Sequence, residues 1–170
     1  KMYDKVQYYF QKNIDKLTKQ LKSKYEDKTL KDKIAALNKI DMAVVISQEQ
    51  NEVKKFKEKG LEIAKHRKRM VNEDLATIFK DADSDLKIVF VCNMWMTGFD
   101  VLSLSTIYLD KPMKNHTLMQ AIARANRVFK EKQAGFIVDY INVFRNLKKA
   151  LAIYAAPTAG GQIDLPIQSK

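Results

Sequence analysis

Cysteine occurs once in these 170 residues, as Cys92 within the apolar run Ile88–Cys92. That setting reads as a buried, reduced thiol, which suits the cytoplasm. No histidine or other base is near it in sequence, which argues against a redox or nucleophilic role. No apolar run reaches the roughly 18 residues that a membrane helix needs. The basic N-terminal segment leads into an amphipathic pattern, not into the apolar core of a signal peptide. Internal repeats and low-complexity segments are absent, and no residue set is assigned to a metal. The phosphate-cradling pattern Gly-x-x-x-x-Gly-Lys-Ser/Thr is also missing, and so is the paired-acid-plus-lysine signature of a nuclease.

What is present is positive charge, unevenly spread. Residues 1–70 hold 19 Lys/Arg against 10 Asp/Glu, and residues 71–170 hold 12 against 10. A basic half points to a polyanion, most readily nucleic acid, with a lysine-rich solvated surface as the equal competitor. The length suits one domain, or one domain plus a tail, with enough residues for a core. With no initiator Met, the chain reads as a piece of something larger.

Tyr3, Val6, Phe10, Ile14, Leu17 and Leu21 recur at helical spacing. A short helix is expected from Leu30 to Ile40, and a buried strand at Met42–Ser47. A long polar helix follows, with Val53, Phe56, Gly60, Ile63 and Ala64 on one side, ending in the basic cluster His66–Arg69. Another short helix spans Glu73–Lys80, with Asn72 as its N-cap. Further strands are expected at Leu86–Cys92, Ser105–Leu109 and Gly135–Val138, and helices at Thr117–Phe129 and Val143–Tyr154. Residues 156–170 read as a linker or tail, and residues 1–41 as leading helices of the domain at 42–155. Apolar strands alternating with amphipathic helices predict an α/β fold with a mainly parallel sheet covered on both faces. In such sheets functional residues gather at the carboxyl ends of the strands. Here that means the loops Ser47–Asn51, Asn93–Asp100 and Asp110–Thr117.

Two motifs carry chemistry. Met94-Trp-Met-Thr-Gly-Phe-Asp100 follows a strand. Gly98 permits a sharp turn or a close backbone approach, Thr97 offers a hydroxyl and an amide to a phosphate, and Asp100 can accept hydrogen bonds from a ribose. Met94, Trp95, Met96 and Phe99 are expected to be core. In the second motif, Gln120, Arg124 and Arg127 are spaced to share one helix face, opposite Leu118, Ala121, Ile122, Ala125 and Phe129. Two arginines with no acid between them form an anion clamp. Thr117-x-x-Gln120 also matches a capping box, which leaves Gln120 open between a cap and a ligand contact.

A strand, a Thr-Gly-x-Asp loop and a helix with Gln-x-x-x-Arg-x-x-Arg resemble motifs V and VI of superfamily 2 helicases and translocases. The longer wording, VFVCNMWMTGFDVLSLSTIYLDKPMKNHTLMQAIARANRVF followed by GFIVDYINVFRNLKKALAIYA, resembles the motor (R) subunit of type I restriction enzymes. The resemblance is dense over residues 86–155 and extends back through MAVVISQ at the motif IV position. Ala123 and Asn126 stand where RNA-helicase-type relatives carry glycines. That departure fits translocases that move along duplex DNA without strand separation.

The resemblance implies a second RecA-like domain of three-layer αβα form, lacking the first domain's nucleotide loop and metal-binding acids. It implies that Arg124 and Arg127 act as arginine fingers on ATP, while Mg²⁺ is held mainly by the first RecA-like domain. Gln120, Gly98 and Asp100 are then nucleotide contacts. Ser47 and Thr97 would hold DNA phosphates, with Arg67 from the basic cluster. Implied partners are double-stranded DNA, the first RecA-like and nuclease domains of the same chain, and the modification and specificity subunits, with no membrane. The expected setting is the bacterial or archaeal cytoplasm, and the isolated fragment is expected to be inactive. Two alternatives stand beside it: a motor domain of another duplex translocase, and a non-catalytic basic DNA-binding module.

Overall fold

The computed structural model describes residues 1–23, 27–92, 94–95, 98–113 and 115–144. The chain divides into two compact units, Lys1–Ser103 and Leu104–Lys170. Each is α/β with parallel strands, the fold class expected of a RecA-like domain.

In the first unit, α1 (Met2–Ser23) and α2 (Lys28–Lys39) precede β1 (Asp41–Ile46). Asp27 caps α2, its carboxylate accepting from the Leu30 amide at 3.1 Å. The long polar helix expected after β1 is two helices, α3 (Glu52–Glu58) and α4 (Ala64–Asn72). Gly60 causes the break. It adopts φ +66°, and its amide bonds to the Lys57 carbonyl while the Leu61 amide reaches back to Phe56, both at 2.9 Å. This is a Schellman ending, which needs a left-handed residue after the helix. Asn72 ends α4 instead of capping the next helix. That cap is Asp74, which accepts from the Thr77 amide at 3.1 Å to start α5 (Leu75–Lys80).

β2 (Leu86–Cys92) pairs in parallel with β1, with Ile46 opposite Cys92. Ala43, Val45, Leu75 and Leu86 form the buried centre of this unit, with Met70, Ile78, Phe79, Val89, Met94 and Trp95 packed around it. On the other face, Phe90 meets Tyr3 of α1 edge-to-face at 5.5 Å. Helices therefore cover both faces of the pair, as parallel strands require. Cys92 corrects one expectation: it is exposed, because it is the last residue of β2, where neighbouring Val91 also emerges.

In the second unit, β3 (Thr106–Leu109) pairs in parallel with β4 (Phe136–Asp139), and α6 (Asn115–Ala125) connects them. Leu109, Leu118 and Val143 are the buried centre. Asp139 closes β4 by accepting from the amides of Ile141 and Phe144, each at 3.0 Å. Burial opposes ionisation of this carboxyl, but the backbone amides of residues 141–144 outweigh it and hold the group below its ordinary range. The helix expected at Val143–Tyr154 and the tail at 156–170 lie outside the described residues beyond Phe144.

Candidate functional site

β1 and β2 run in parallel and end side by side, so the loops leaving Ile46 and Cys92 start from one edge. A buried ion pair organises the first of these loops. Glu52 is 6% exposed. Arg67 grips it with two parallel bonds, Nε to Oε1 and a terminal nitrogen to Oε2, both 2.7 Å. The same guanidinium donates to the carbonyls of Ile46 (3.2 Å) and Ser47 (3.3 Å), and to the Met70 sulfur (3.6 Å). All five N–H groups are thereby engaged within the protein. The Glu49 amide also donates to Glu52 at 3.3 Å, and Asn51 takes a left-handed φ of 57° to close the turn. The hydrogen-bonded Arg67 guanidinium holds the Glu52 carboxyl below its ordinary range, against the opposing effect of burial.

Arg67, expected to face DNA, thus holds the loop that carries Ser47. Arg69 is committed in the same way. It makes a two-pronged pair with Asp41, donates to the Met42 carbonyl at 3.0 Å, and binds Glu73 at 2.8 Å. His66 meets Tyr3 edge-to-face at 4.5 Å, and its partial burial favours the neutral ring. The basic cluster is therefore largely spent on tying α4 to β1 and α1.

On the second loop, Trp95 adopts φ +61° and stacks on Phe99 at 4.2 Å and on Phe79 at 6.0 Å. Met94 and Trp95 join the core as expected, and Met96 and Thr97 lie outside the described residues. Gly98 has φ +70° with open space where a Cβ would go, so it supplies backbone conformation and not clearance. Asp100 is exposed, with contacts of its own.

In the second unit, α6 buries Leu118, Ala121 and Ala125. The helix begins at Asn115, so Thr117 lies inside its first turn and not at its cap. Among the described residues the buried Gln120 Oε1 accepts no hydrogen bond, so the capping box does not form. A buried amide oxygen left so costs about 1–3 kcal/mol.

Gln120 and Arg124 share the helix, but Arg127 does not. α6 ends at Ala125, four residues before its expected end at Phe129, and the chain returns through a bridge between Phe129 and Lys132. Two features force that ending. The Lys132 ammonium donates to the carbonyls of Ala125 (3.1 Å) and Leu104 (2.8 Å), a cation at a helix C-terminus. Gly135 also passes so near that a Cβ on it would overlap the Ala125 carbonyl. Arg127 is therefore exposed on a braced return and not on a third helical turn. Arg124 is half-buried, and both arginines have contacts within the protein. Among the described residues no group of three His, Cys, Asp or Glu side chains could hold a metal ion, and no helix is long and apolar enough to cross a membrane.

Comparison with known proteins adds a family. Residues 7–142 match the family model described as type I restriction enzyme subunit R domain 3. A Methanocaldococcus jannaschii protein named "Putative type I restriction enzyme MjaIXP endonuclease subunit" is 60% identical over 84 residues, covering 49% of this chain and 8% of the relative. The type I restriction enzyme HindI endonuclease subunit of Haemophilus influenzae is 50% identical over 94 residues, covering 54% and 9%. A second M. jannaschii protein, similarly named as an MjaVIIP endonuclease subunit, is 34% identical over 138 residues, covering 75% and 12%. The chain thus spans about a tenth of the length of these relatives.

Proposed function

The chain belongs to the type I restriction enzyme subunit R domain 3 family, and from that membership we propose that it is the second RecA-like motor domain, residues 42–155, of an ATP-driven DNA-translocating R subunit. The observation that carries this reading is the family match across residues 7–142, which takes in both loop motifs and the arginine helix.

In this reading Arg124 and Arg127 neutralise charge that develops on the γ-phosphate of ATP. The nucleotide is held by a phosphate loop elsewhere in the parent chain, where the Mg²⁺ ligands also reside. Arginine fingers contribute on the order of 10³-fold or more in rate. The Lys132–Gly135 bracing supports the role, since a finger acts best from a rigid support. Gln120, with its unsatisfied oxygen, takes a donor from the nucleotide or from the domain that binds it. Gly98 and Asp100 contact the sugar.

Ser47 and Thr97 hold DNA phosphates. Arg67 and Glu52 set the Ser47 loop from behind. Such contacts fix position without reading sequence, as a motor crossing any DNA requires. Domain closure satisfies the arginines, and hydrolysis removes that differential contact, so the motor opens and the duplex advances. The nuclease domain and the modification and specificity subunits complete the restriction complex.

The test is Arg127→Ala in the full-length R subunit. ATP turnover is expected to fall at least about 10³-fold while duplex binding stays near wild type. Unchanged turnover would remove Arg127 from the catalytic machinery.

A further inference from the structure

The sequence places its basic cluster at residues 66–69, yet Arg67 and Arg69 are consumed by Glu52, Asp41 and Glu73. The positive charge that remains available lies elsewhere. Lys5, Lys12, Lys16 and Lys19 project from α1 at steps of seven, four and three residues, which places them along one stripe of the helix. All four are exposed, and among the described residues none has an ion-pair partner. Tyr8 and Tyr9 flank the stripe, 61% and 63% exposed, ring against ring at 5.3 Å. α1 also carries two acids, Asp4 and Asp15; Asp15 lies one turn from Lys12 and from Lys19 but accepts from Gln11 at 3.0 Å, so the stripe keeps an excess of positive charge. The opposite side of the helix is the apolar one, and Tyr3 anchors it against Phe90 and His66. The lysines therefore point away from the body of this unit.

We propose that this α1 stripe is a docking surface for the phosphate backbone of duplex DNA, separate from the loops at the carboxyl ends of the strands. The inference rests on the DNA-translocating reading above and adds a second surface of this domain that the duplex touches, beyond the Ser47 and Thr97 loops. The shape fits. At 1.5 Å per residue the four ammonium groups extend over roughly 21 Å of straight helix, alongside a duplex that carries one negative charge per about 1.7 Å. The chemistry fits as well. Lysine is a flexible point charge that binds phosphate without the fixed fork of arginine, which suits a surface that must release and regrip. Exposed tyrosine hydroxyls are further donors to phosphate oxygens.

The experiment uses the full-length R subunit assembled with its partner subunits, and a duplex lacking any recognition sequence. Binding is measured over a range of salt concentrations for the wild type, for K5Q/K12Q/K16Q/K19Q and for the charge-preserving K5R/K12R/K16R/K19R. The glutamine variant is expected to lower the log–log salt slope by about 2–4, since each lost phosphate contact removes about 0.9. The arginine variant is expected to keep the wild-type slope, which separates charge from folding. A glutamine variant with the wild-type slope overturns the proposal. So does one whose only defect is failure to assemble with the other subunits, which would assign the stripe to an acidic protein surface. A wild-type complex whose duplex binding does not respond to salt would instead overturn the DNA reading itself.

Discussion

At the scale of single residues, the Glu52–Arg67 pair is the most consequential feature of the loop after β1. Removing one member of a buried, hydrogen-bonded pair leaves the other charge without compensation, at a cost of about 3 kcal/mol. Glu52→Gln in the full-length subunit is therefore expected to raise hydrogen exchange across residues 46–52 by on the order of 100-fold, with little change elsewhere. The pH dependence follows from the direction in which the Glu52 carboxyl is held. Its folded pKa lies below the unfolded value, so its stabilisation is complete above about pH 4.3 and is lost as pH falls through the depressed folded value. Protection of residues 46–52, corrected for intrinsic exchange, should collapse in that acid window in the wild type. In Glu52→Gln it should vary far less there. Equal acid sensitivity in both would mean that another group controls the loop.

Elements show where a linear reading succeeds and where it fails. The four strands among the described residues were legible because short β-branched runs bounded by polar residues have few other uses. The amphipathic span of α1 was legible because apolar residues hold helical spacing over about five turns. The break at Gly60 was not, because a helix also tolerates an isolated glycine inside a periodic pattern. The end of α6 was hidden for a different reason. Its causes, Lys132 and Gly135, lie seven and ten residues beyond Ala125 and act only through space. The Arg67–Glu52 pair, fifteen residues apart, likewise follows no local period. The helix ending gives a direct prediction. Gly135→Ala has no room against the Ala125 carbonyl, so in the full-length subunit it should displace the Arg127 return and lower ATP turnover. Ala134→Gly, one residue earlier, should leave turnover near wild type. Normal turnover in Gly135→Ala would show that the return does not need this close approach.

For the molecule as a whole, the excess of positive charge proves less informative than its distribution. The arginines of α4 stabilise the first unit from within, while the lysines of α1 face outward, so equal formal charges do different work. The same separation applies to catalysis. The sequence holds arginines but neither a phosphate loop nor the metal-binding acids of an ATP site, and on the reading proposed above this chain alone should hydrolyse ATP no faster than a buffer control. Measurable turnover that Arg127→Ala abolishes would contradict the division of labour proposed above. The scarcity of cysteine has a practical side as well. Cys92 is exposed at the end of β2, opposite Ile46, where the two loops of the first unit begin. Within this chain a maleimide dye has that one address, so a single fluorophore can report events at the strand edge without prior removal of competing thiols.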